Sequence, residues 1–187
     1  MTDLLDTPST AILIPPSWLH PETEPECVME LEGLLRSHGF TTYLETSVKH
    51  TSGKSLRVDL LAIRNGIVIA FEVKAPGFKL AWALRQGRDY VLSKSVLGMV
   101  LACFVYPVPI EFIRGEDRYW QGMAKLASYD RVGIAFIEGG LVLDFGGHVI
   151  FRHGQWTSQA KKFLLGQRQL GGGRSNEWKR GRFIRRI

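Results

Sequence analysis

The fold of this chain is decided by the stretch RVDLLAIRNGIVIAFEVKAP, residues 57–76. Two apolar runs flank the pair Asn65-Gly66, and such a pair between apolar runs is the strongest short-range signal of a two-residue hairpin turn. The sequence therefore predicts two antiparallel strands in which Arg64 faces Ile67. Every residue further from the turn then has one defined partner on the other strand.

The charged side chains of this hairpin fall on one face in that register. Asp59 lies directly across from Glu72, Arg57 lies across from Lys74, and period-two alternation gives all four the same side. The opposite face is apolar, with the pairs Val58–Val73, Leu60–Phe71 and Ala62–Ile69. We expect the apolar face to pack on a core, which leaves the charges to be explained.

Two facing carboxylates repel each other, and like charges opposed on a sheet destabilise it. A divalent cation between Asp59 and Glu72 would reverse that effect, because magnesium takes oxygen ligands. Lys74 would stand beside the same ion, where an ammonium stabilises negative charge developing on a phosphate or orients a water. The pattern therefore indicates metal-assisted phosphodiester hydrolysis. The alternative is a solvated polar face with incidental acids.

The remaining segments predict an α/β domain with a central mixed β-sheet flanked by α-helices. Helices are predicted at about 26–38, in FKLAWALRQGRDYVLSKSV, in RGEDRYWQGMAKLASYD and near 158–167. Strands are predicted in TTYLETSV, GMVLACFVYPV, VGIAFIE, GLVLDF and HVIFRH. We expect an irregular Pro-rich arm at 1–25, one domain at 26–170 and a flexible basic tail at 171–187.

Composition favours a soluble intracellular protein that binds an anionic partner. Of the 187 residues, 45% are hydrophobic and 22% charged, which is ordinary for a globular chain. The tail holds six basic residues against one acid, so it accounts for +5 of the net charge of +6. The N-terminus lacks the features of a signal peptide, and the longest apolar run is too short to cross a bilayer. These features predict a cytoplasmic location and no membrane partner.

The charged residues of the hairpin resemble the signature of a known family. Asp59, followed after twelve residues by Glu72-Val73-Lys74, resembles the signature of the PD-(D/E)xK nuclease superfamily. The position before Asp59 is Val58, where the family often has proline. The resemblance covers about residues 26–106, and it implies a restriction-endonuclease-like core of helix, three-stranded meander, helix and strand.

The resemblance also implies an activity and a cofactor. The 26–170 domain would be a nuclease domain that hydrolyses DNA, with RNA as the alternative substrate. Magnesium, with manganese able to substitute, would be bound by Asp59, Glu72 and the carbonyl of Val73. Many members of the family carry a further glutamate on the first helix. Glu30 is the first candidate for that position and Glu26 the second, although both could equally be surface charges.

The second helix contains QGRDY, which places Gln86 and Tyr90 at i and i+4 on one face. This spacing is similar to the Q-x-x-x-Y motif of the RecB-like branch of the superfamily. The resemblance implies that Gln86 orients part of the site and that Tyr90 supports it or contacts DNA. The alternative is an ordinary amphipathic helix with a half-buried tyrosine.

Basic and aromatic residues outside the hairpin are candidates for nucleic-acid contact, because phosphate contacts dominate affinity and aromatic rings stack on bases. Candidates on the second helix are Lys79, Arg85 and Arg88. Candidates in the tail are Arg174, Trp178, Lys179, Arg180, Arg182, Arg185 and Arg186. The alternatives are a solvated helix face and a solubilising terminus.

We interpret the chain as a magnesium-dependent deoxyribonuclease of repair, recombination or restriction type. A non-catalytic nucleic-acid-binding module of the same fold is the first alternative. Such a module would usually have lost an acid or the lysine, and this chain keeps all three. An accessory protein of a larger nucleoprotein assembly is the second alternative. A homodimer and a helicase or other accessory partner are both compatible with the sequence.

Overall fold

The computed structural model describes residues 21–109, 118–160 and 163–164 of the chain. Its helices are α1 (Glu24–Ser37), α2 (Leu80–Val91), α3 (Arg118–Tyr129) and the short α4 (Ser158–Ala160). Its strands are β1 (Thr41–His50), β2 (Ser55–Arg64), β3 (Ile67–Val73), β4 (Ser93–Ser95), β5 (Gly98–Met99), β6 (Ala102–Tyr106), β7 (Val132–Ile137), β8 (Leu141–Phe145), β9 (His148–Arg152) and β10 (Gln155–Trp156). The predicted mixed α/β class is confirmed.

The described strands form one sheet in the order β10-β9-β8-β7-β6-β3-β2-β1-β4-β5. β3, β6 and β7 run parallel to one another, whereas the other neighbours are antiparallel. Parallel neighbours need a crossover connection. Helix α2 lies between β3 and β6 along the chain, and α3 lies between β6 and β7. The sheet is therefore mixed, as predicted.

Helices cover both faces of this sheet. Helix α1 buries Cys27, Leu31 and Leu35 in one core, together with residues of β2, β3, β6, β8 and β9. Helices α2 and α3 bury Leu84 and Ala127 against the opposite face. The predicted apolar face of the hairpin lies in the α1 core, which contains Leu60, Ala62, Ile69, Phe71 and Val73.

The hairpin turn forms as predicted. Asn65 and Gly66 have φ angles of 54° and 73°, the left-handed conformation that a tight two-residue turn of this kind requires. Pairing runs from Arg64–Ile67 as far as Leu60–Phe71, in the predicted register.

Beyond Leu60–Phe71 the ladder differs from the prediction. The pairs Asp59–Glu72 and Arg57–Lys74 do not belong to it. The Asp59 carboxylate accepts a hydrogen bond from the backbone N–H of Val73. The N–H of Lys74 donates to the Tyr106 carbonyl at the end of β6. The predicted placement of Arg57 across from Lys74 is therefore wrong. On the other edge of β2, Arg57 is paired with Ser47 of β1.

Near Asp59, the regular alternation of the β2 side chains between the two faces of the sheet is also interrupted. Glu45 of β1, which lies between the pairs Leu44–Leu60 and Thr46–Val58, has a φ of 48°. That backbone distortion breaks the regular alternation of the strand pair. Val58 packs in the cluster on the α2 face, with Tyr90 and Cys103, and not with Val73. Its predicted pairing with Val73 is therefore wrong.

Two helix boundaries differ from the predictions for local reasons. Helix α1 begins at Glu24, because Thr23 and Glu26 form a capping box in which each side chain accepts the other residue's backbone N–H. Helix α2 ends at Val91, where the hydroxyl of Ser93 donates to the Asp89 carbonyl over 2.7 Å. Residues 93–95, predicted as helix, form β4 because they pair with β1.

Other predicted segments lie partly or wholly outside the described residues. These are most of the Pro-rich arm, the start of the RGEDRYWQGMAKLASYD helix, most of the last helix and the whole basic tail. The predicted strand GMVLACFVYPV is divided into β5 and β6, and the two-residue strand β10 was not predicted. Among the described helices, none has the length and apolar character needed to cross a membrane.

Candidate active site

The carboxylate of Asp59 lies against strand β3 at the end of the hairpin ladder. Its Oδ2 accepts the backbone N–H of Val73 over 2.8 Å, which brings it next to Glu72. Burial raises the pKa of Asp59, although the Val73 hydrogen bond and the charge of Lys74 oppose this. The predicted proximity of the two acids is present, but it arises through this side-chain hydrogen bond and not through a ladder pair.

Glu72 is the most unusual charged residue of the described chain, because its side chain is 0% exposed. It lies near the end of β3, where Val105 of the parallel strand β6 is its neighbour. Burial, and then the negative charge of Asp59, raise the pKa of Glu72 to about 7. Without a bound cation, the carboxyl group is therefore protonated in a large fraction of molecules at neutral pH.

Lys74 contacts both the acid pair and helix α1. Its Nζ forms an ion pair with Oε1 of Glu72 and lies 3.7 Å from Oε2 of Glu24. Burial alone would lower the pKa of Lys74, but the carboxylates of Glu72, Asp59 and Glu24 outweigh it and the net shift is upward. The ammonium therefore stays charged beside the acids.

Gln86 and Tyr90 form a hydrogen-bonded chain behind this site. Nε2 of Gln86 donates to the Tyr90 hydroxyl over 2.9 Å, and that hydroxyl donates to the carbonyl of Arg57 over 2.9 Å. Burial and the nearby Glu72 charge raise the pKa of Tyr90, so the phenol keeps its proton. Tyr90 is only 2% exposed. Of its two predicted roles, support of the site fits this burial, and contact with DNA stays a prediction.

The predicted role of Gln86 needs a similar adjustment. The hydrogen bond of its amide goes to Tyr90 and not to either carboxylate. It therefore holds α2 to the start of β2 through Tyr90, and its role in orienting the site stays a prediction. Gly87, the next residue, lets α2 lie close to β6 and β7. A Cβ at this position would lie 2.9 Å from Cγ1 of Val132 and 3.2 Å from Sγ of Cys103.

The glutamates of α1 make different contacts from those predicted. Glu30 accepts a hydrogen bond from the Tyr106 hydroxyl, and Glu26 caps the helix N-terminus. The helix-borne carboxylate that contacts Lys74 is Glu24, which the sequence analysis missed. The capping box formed by Thr23 and Glu26 is the signal that would have found it, since it sets the start of the helix at Glu24.

The basic candidates of the second helix differ in their contacts. Lys79 and Arg85 are exposed, whereas Arg88 forms an ion pair with Asp130 at 2.8 Å and ties α2 to α3. Trp82, between the two exposed cations along the helix, is 78% exposed and was not among the predicted residues. All the tail candidates lie outside the described residues.

Metal binding by this site can be judged from its donors. Both carboxylate oxygens of Glu72 are buried, and neither accepts a well-aligned hydrogen bond. Two adjacent acids with such oxygens suit a hard divalent cation. Within the described ranges, however, no group of three or more His, Cys, Asp or Glu side chains has a metal-binding arrangement. Protein ligands beyond Asp59 and Glu72 would therefore include backbone oxygens.

No protein-family model, curated protein or solved structure matches this chain.

Proposed function

We propose that this protein is a metal-dependent nuclease that hydrolyses phosphodiester bonds in DNA on a restriction-endonuclease-like core. The observation that carries the proposal is the buried carboxylate of Glu72, which lies beside Asp59 and in contact with Lys74. The order α1, β1, β2, β3, α2 and β6 supports the core assignment, because it follows the order that the sequence resemblance implies.

Each residue of the site has a chemical task in this proposal. Asp59 and Glu72, with the carbonyl of Val73, would hold magnesium, which supplies Lewis acidity and a water of lowered pKa. Lys74 keeps its proton at Nζ and stabilises negative charge on the phosphate in the transition state. Glu24, 3.7 Å from that Nζ, limits where the ammonium can lie. Glu30 remains a predicted ligand, although its hydrogen bond goes to Tyr106.

The substrate surface in this proposal includes helix α2. Trp82 is exposed between Lys79 and Arg85, so a base could stack on the indole while both cations contact phosphates. Helix α2 also carries Tyr90, which lies next to Glu72. A nucleic-acid strand on this helix would therefore lie close to the acids.

Substitution of the acid and the lysine tests the activity. We expect Glu72→Gln and Lys74→Met to remain folded and to lose magnesium-dependent cleavage by about 100-fold or more. Cleavage would be measured on linear, circular, flapped and four-way DNA and on RNA, with magnesium or manganese and with EDTA. Glu32→Gln, a partly buried acid of α1 outside the site, and Lys49→Met on β1 are matched controls. Wild-type cutting by both site variants would sink the proposal.

One observation favours a second candidate function, a nucleic-acid-binding module without catalysis. Lys74 forms an ion pair with Glu72, and such a pair can satisfy a buried acid with no metal. Titration calorimetry with magnesium separates the two candidates. Heat that disappears in Glu72→Gln supports the nuclease, whereas DNA binding with no magnesium heat and no cleavage supports the module.

A further inference from the structure

A cavity of about 450 Å³ lies on the same face of the sheet as the candidate active site. Its apolar wall is formed by Leu80 of α2, Val108 after β6 and Ile134 of β7. Arg118 and Lys125 of α3 lie at its edge and are exposed, and neither has an ion-pair partner among the described residues. The volume lies within the range that small-molecule sites occupy.

Asp144 of β8 also lines this cavity, and it is only 3% exposed. Its Oδ1 accepts the backbone N–H of Gly147 over 2.7 Å, which leaves Oδ2 to accept a hydrogen bond from a ligand. A carboxylate held in an apolar cavity selects ligands that bring a hydrogen-bond donor to it, since burying it without one is unfavourable.

The pairing of the strands relates this cavity to the acids. Glu72 is beside Val105, Val105 is beside Ile134, and Ile134 is beside Asp144 in the sheet register. Partners in one such row point their side chains to the same face. Three strand spacings separate Glu72 from Asp144, which is about 14 Å.

We propose that this cavity binds one nucleotide of an unpaired substrate strand. The phosphate contacts Arg118 and Lys125, the base packs on the apolar wall, and Asp144 accepts a hydrogen bond from an exocyclic amino group of the base. A base with an amino group is therefore preferred over one with a carbonyl at the same position. The assignment of the nucleotide to a substrate strand rests on the proposed nuclease function, whereas the binding of a nucleotide does not.

Gly122 of α3 offers a direct test, because it lines the cavity and a Cβ there would meet no heavy atom within 4 Å. Gly122→Trp therefore adds a bulky ring to the lining of the cavity, and its Cβ makes no clash in the helix. Gly33→Trp on α1 is the matched control, since Gly33 is also a helical glycine with open space around its Cβ and it does not line the cavity. Circular dichroism checks that both variants are folded.

The probes are dCMP and dUMP, whose bases differ at C4, which carries an amino group in cytosine and a carbonyl in uracil, and at N3, which carries a hydrogen only in uracil. Binding is measured by calorimetry on the full chain in EDTA, so that neither metal nor cleavage is involved. We expect dCMP to bind about tenfold more tightly than dUMP, because only cytosine brings an exocyclic amino donor to the Asp144 carboxylate. Gly122→Trp should abolish binding of both probes, and Gly33→Trp should leave it unchanged.

Two further variants separate the contacts. Asp144→Asn keeps the shape but offers a donor, so it should remove or reverse the preference for dCMP. Lys125→Glu should weaken dCMP but not deoxycytidine, which lacks the phosphate. Wild-type dCMP affinity in Gly122→Trp, or no dCMP binding by the wild-type chain, overturns the nucleotide site. If the wild-type chain does not cut DNA while Gly122→Trp loses dCMP, the nuclease function fails and the nucleotide site stands.

Discussion

Glu72 shows at the scale of one residue how a fold can hold a charged group ready for a ligand. Its side chain is enclosed, Asp59 adds negative charge beside it, and the Lys74 ammonium and the Tyr90 hydroxyl compensate in part. Burial of an acid under these conditions opposes its ionisation, and this is why its pKa is raised to about 7. A cation bound here would remove that opposition.

This raised pKa predicts a pH-dependent stability. Below about pH 4.5 the acid is protonated in both states, so it has no effect. Between pH 4.5 and 7 the unfolded chain releases the proton and the folded chain keeps it, so the stability of the wild type falls as pH rises. Glu72→Gln lacks this loss and should gain about 1–3 kcal/mol relative to the wild type between pH 4.5 and 8.

Urea unfolding in EDTA at pH 4.5 and pH 8 measures this difference. Glu32→Gln, whose acid lies outside the site, is the control and should show no comparable change. Magnesium at pH 8 should stabilise the wild type but not Glu72→Gln, since only the ionised acid binds the ion. An equal stability difference between wild type and Glu72→Gln at both pH values would contradict the prediction.

Individual site residues were predictable where the determining contacts are local. The hairpin register places Asp59 and Glu72 just beyond the last ladder pair, and the Asp59 carboxylate then accepts the N–H of Val73. The acid on α1 was not predictable in the same way. The choice among Glu24, Glu26 and Glu30 depends on the helix start and on packing against Tyr106, and the latter is distant in sequence.

In helix α2 as well, contacts within the element were predictable from the sequence, whereas contacts with distant segments were not. Its helical spacing predicts the i, i+4 pair of Gln86 and Tyr90, and the structure contains that pair. The contact of Gly87 with Cys103 and Val132 depends on β6 and β7 and could not be read from local sequence. The same holds for Val58, whose facing depends on the distorted backbone of Glu45 in the neighbouring strand.

We predict that Gly87→Ala destabilises the protein even though alanine favours a helix. The added methyl would lie 2.9 Å from Cγ1 of Val132, so α2 must move away from the sheet. Overpacking of this kind costs about 1–3 kcal/mol. Gly33→Ala on α1, where a Cβ has open space, should instead stabilise by about 0.5–1 kcal/mol. Thermal or urea unfolding compares the two, and equal effects would contradict the packing argument.

The fold class of the whole molecule was predictable, but the strand order was not. The alternation of helices and strands indicates a mixed sheet. The placement of β4 beside β1, and of β6 between β3 and β7, depends on pairings between segments far apart in the chain. The antiparallel run from β7 to β10 extends the sheet beyond the part that the family resemblance covers.

The charge of the whole chain supports a prediction about its basic tail. Deletion of residues 171–187 removes +5 of the net charge of +6, so it should weaken nucleic-acid binding and reduce its dependence on salt. Fluorescence anisotropy with labelled DNA over a series of salt concentrations measures both. An unchanged affinity and salt slope would exclude a role for the tail. The proposed cleavage centre lies outside the deleted segment, so we expect activity at low salt to be retained.

The two strands at the edges of the described sheet, β5 and β10, contain two residues each. The strand β4 pairs with β1 only at Lys49 and His50, so within the described residues the outer edge of the ten-residue strand β1 has no strand partner over residues 41–48. The long and apolar strands β3, β6 and β7 lie inside the sheet, where self-association through their backbones is blocked. If copies of this chain assemble through strand pairing, we therefore expect the outer edge of β1 to form the contact.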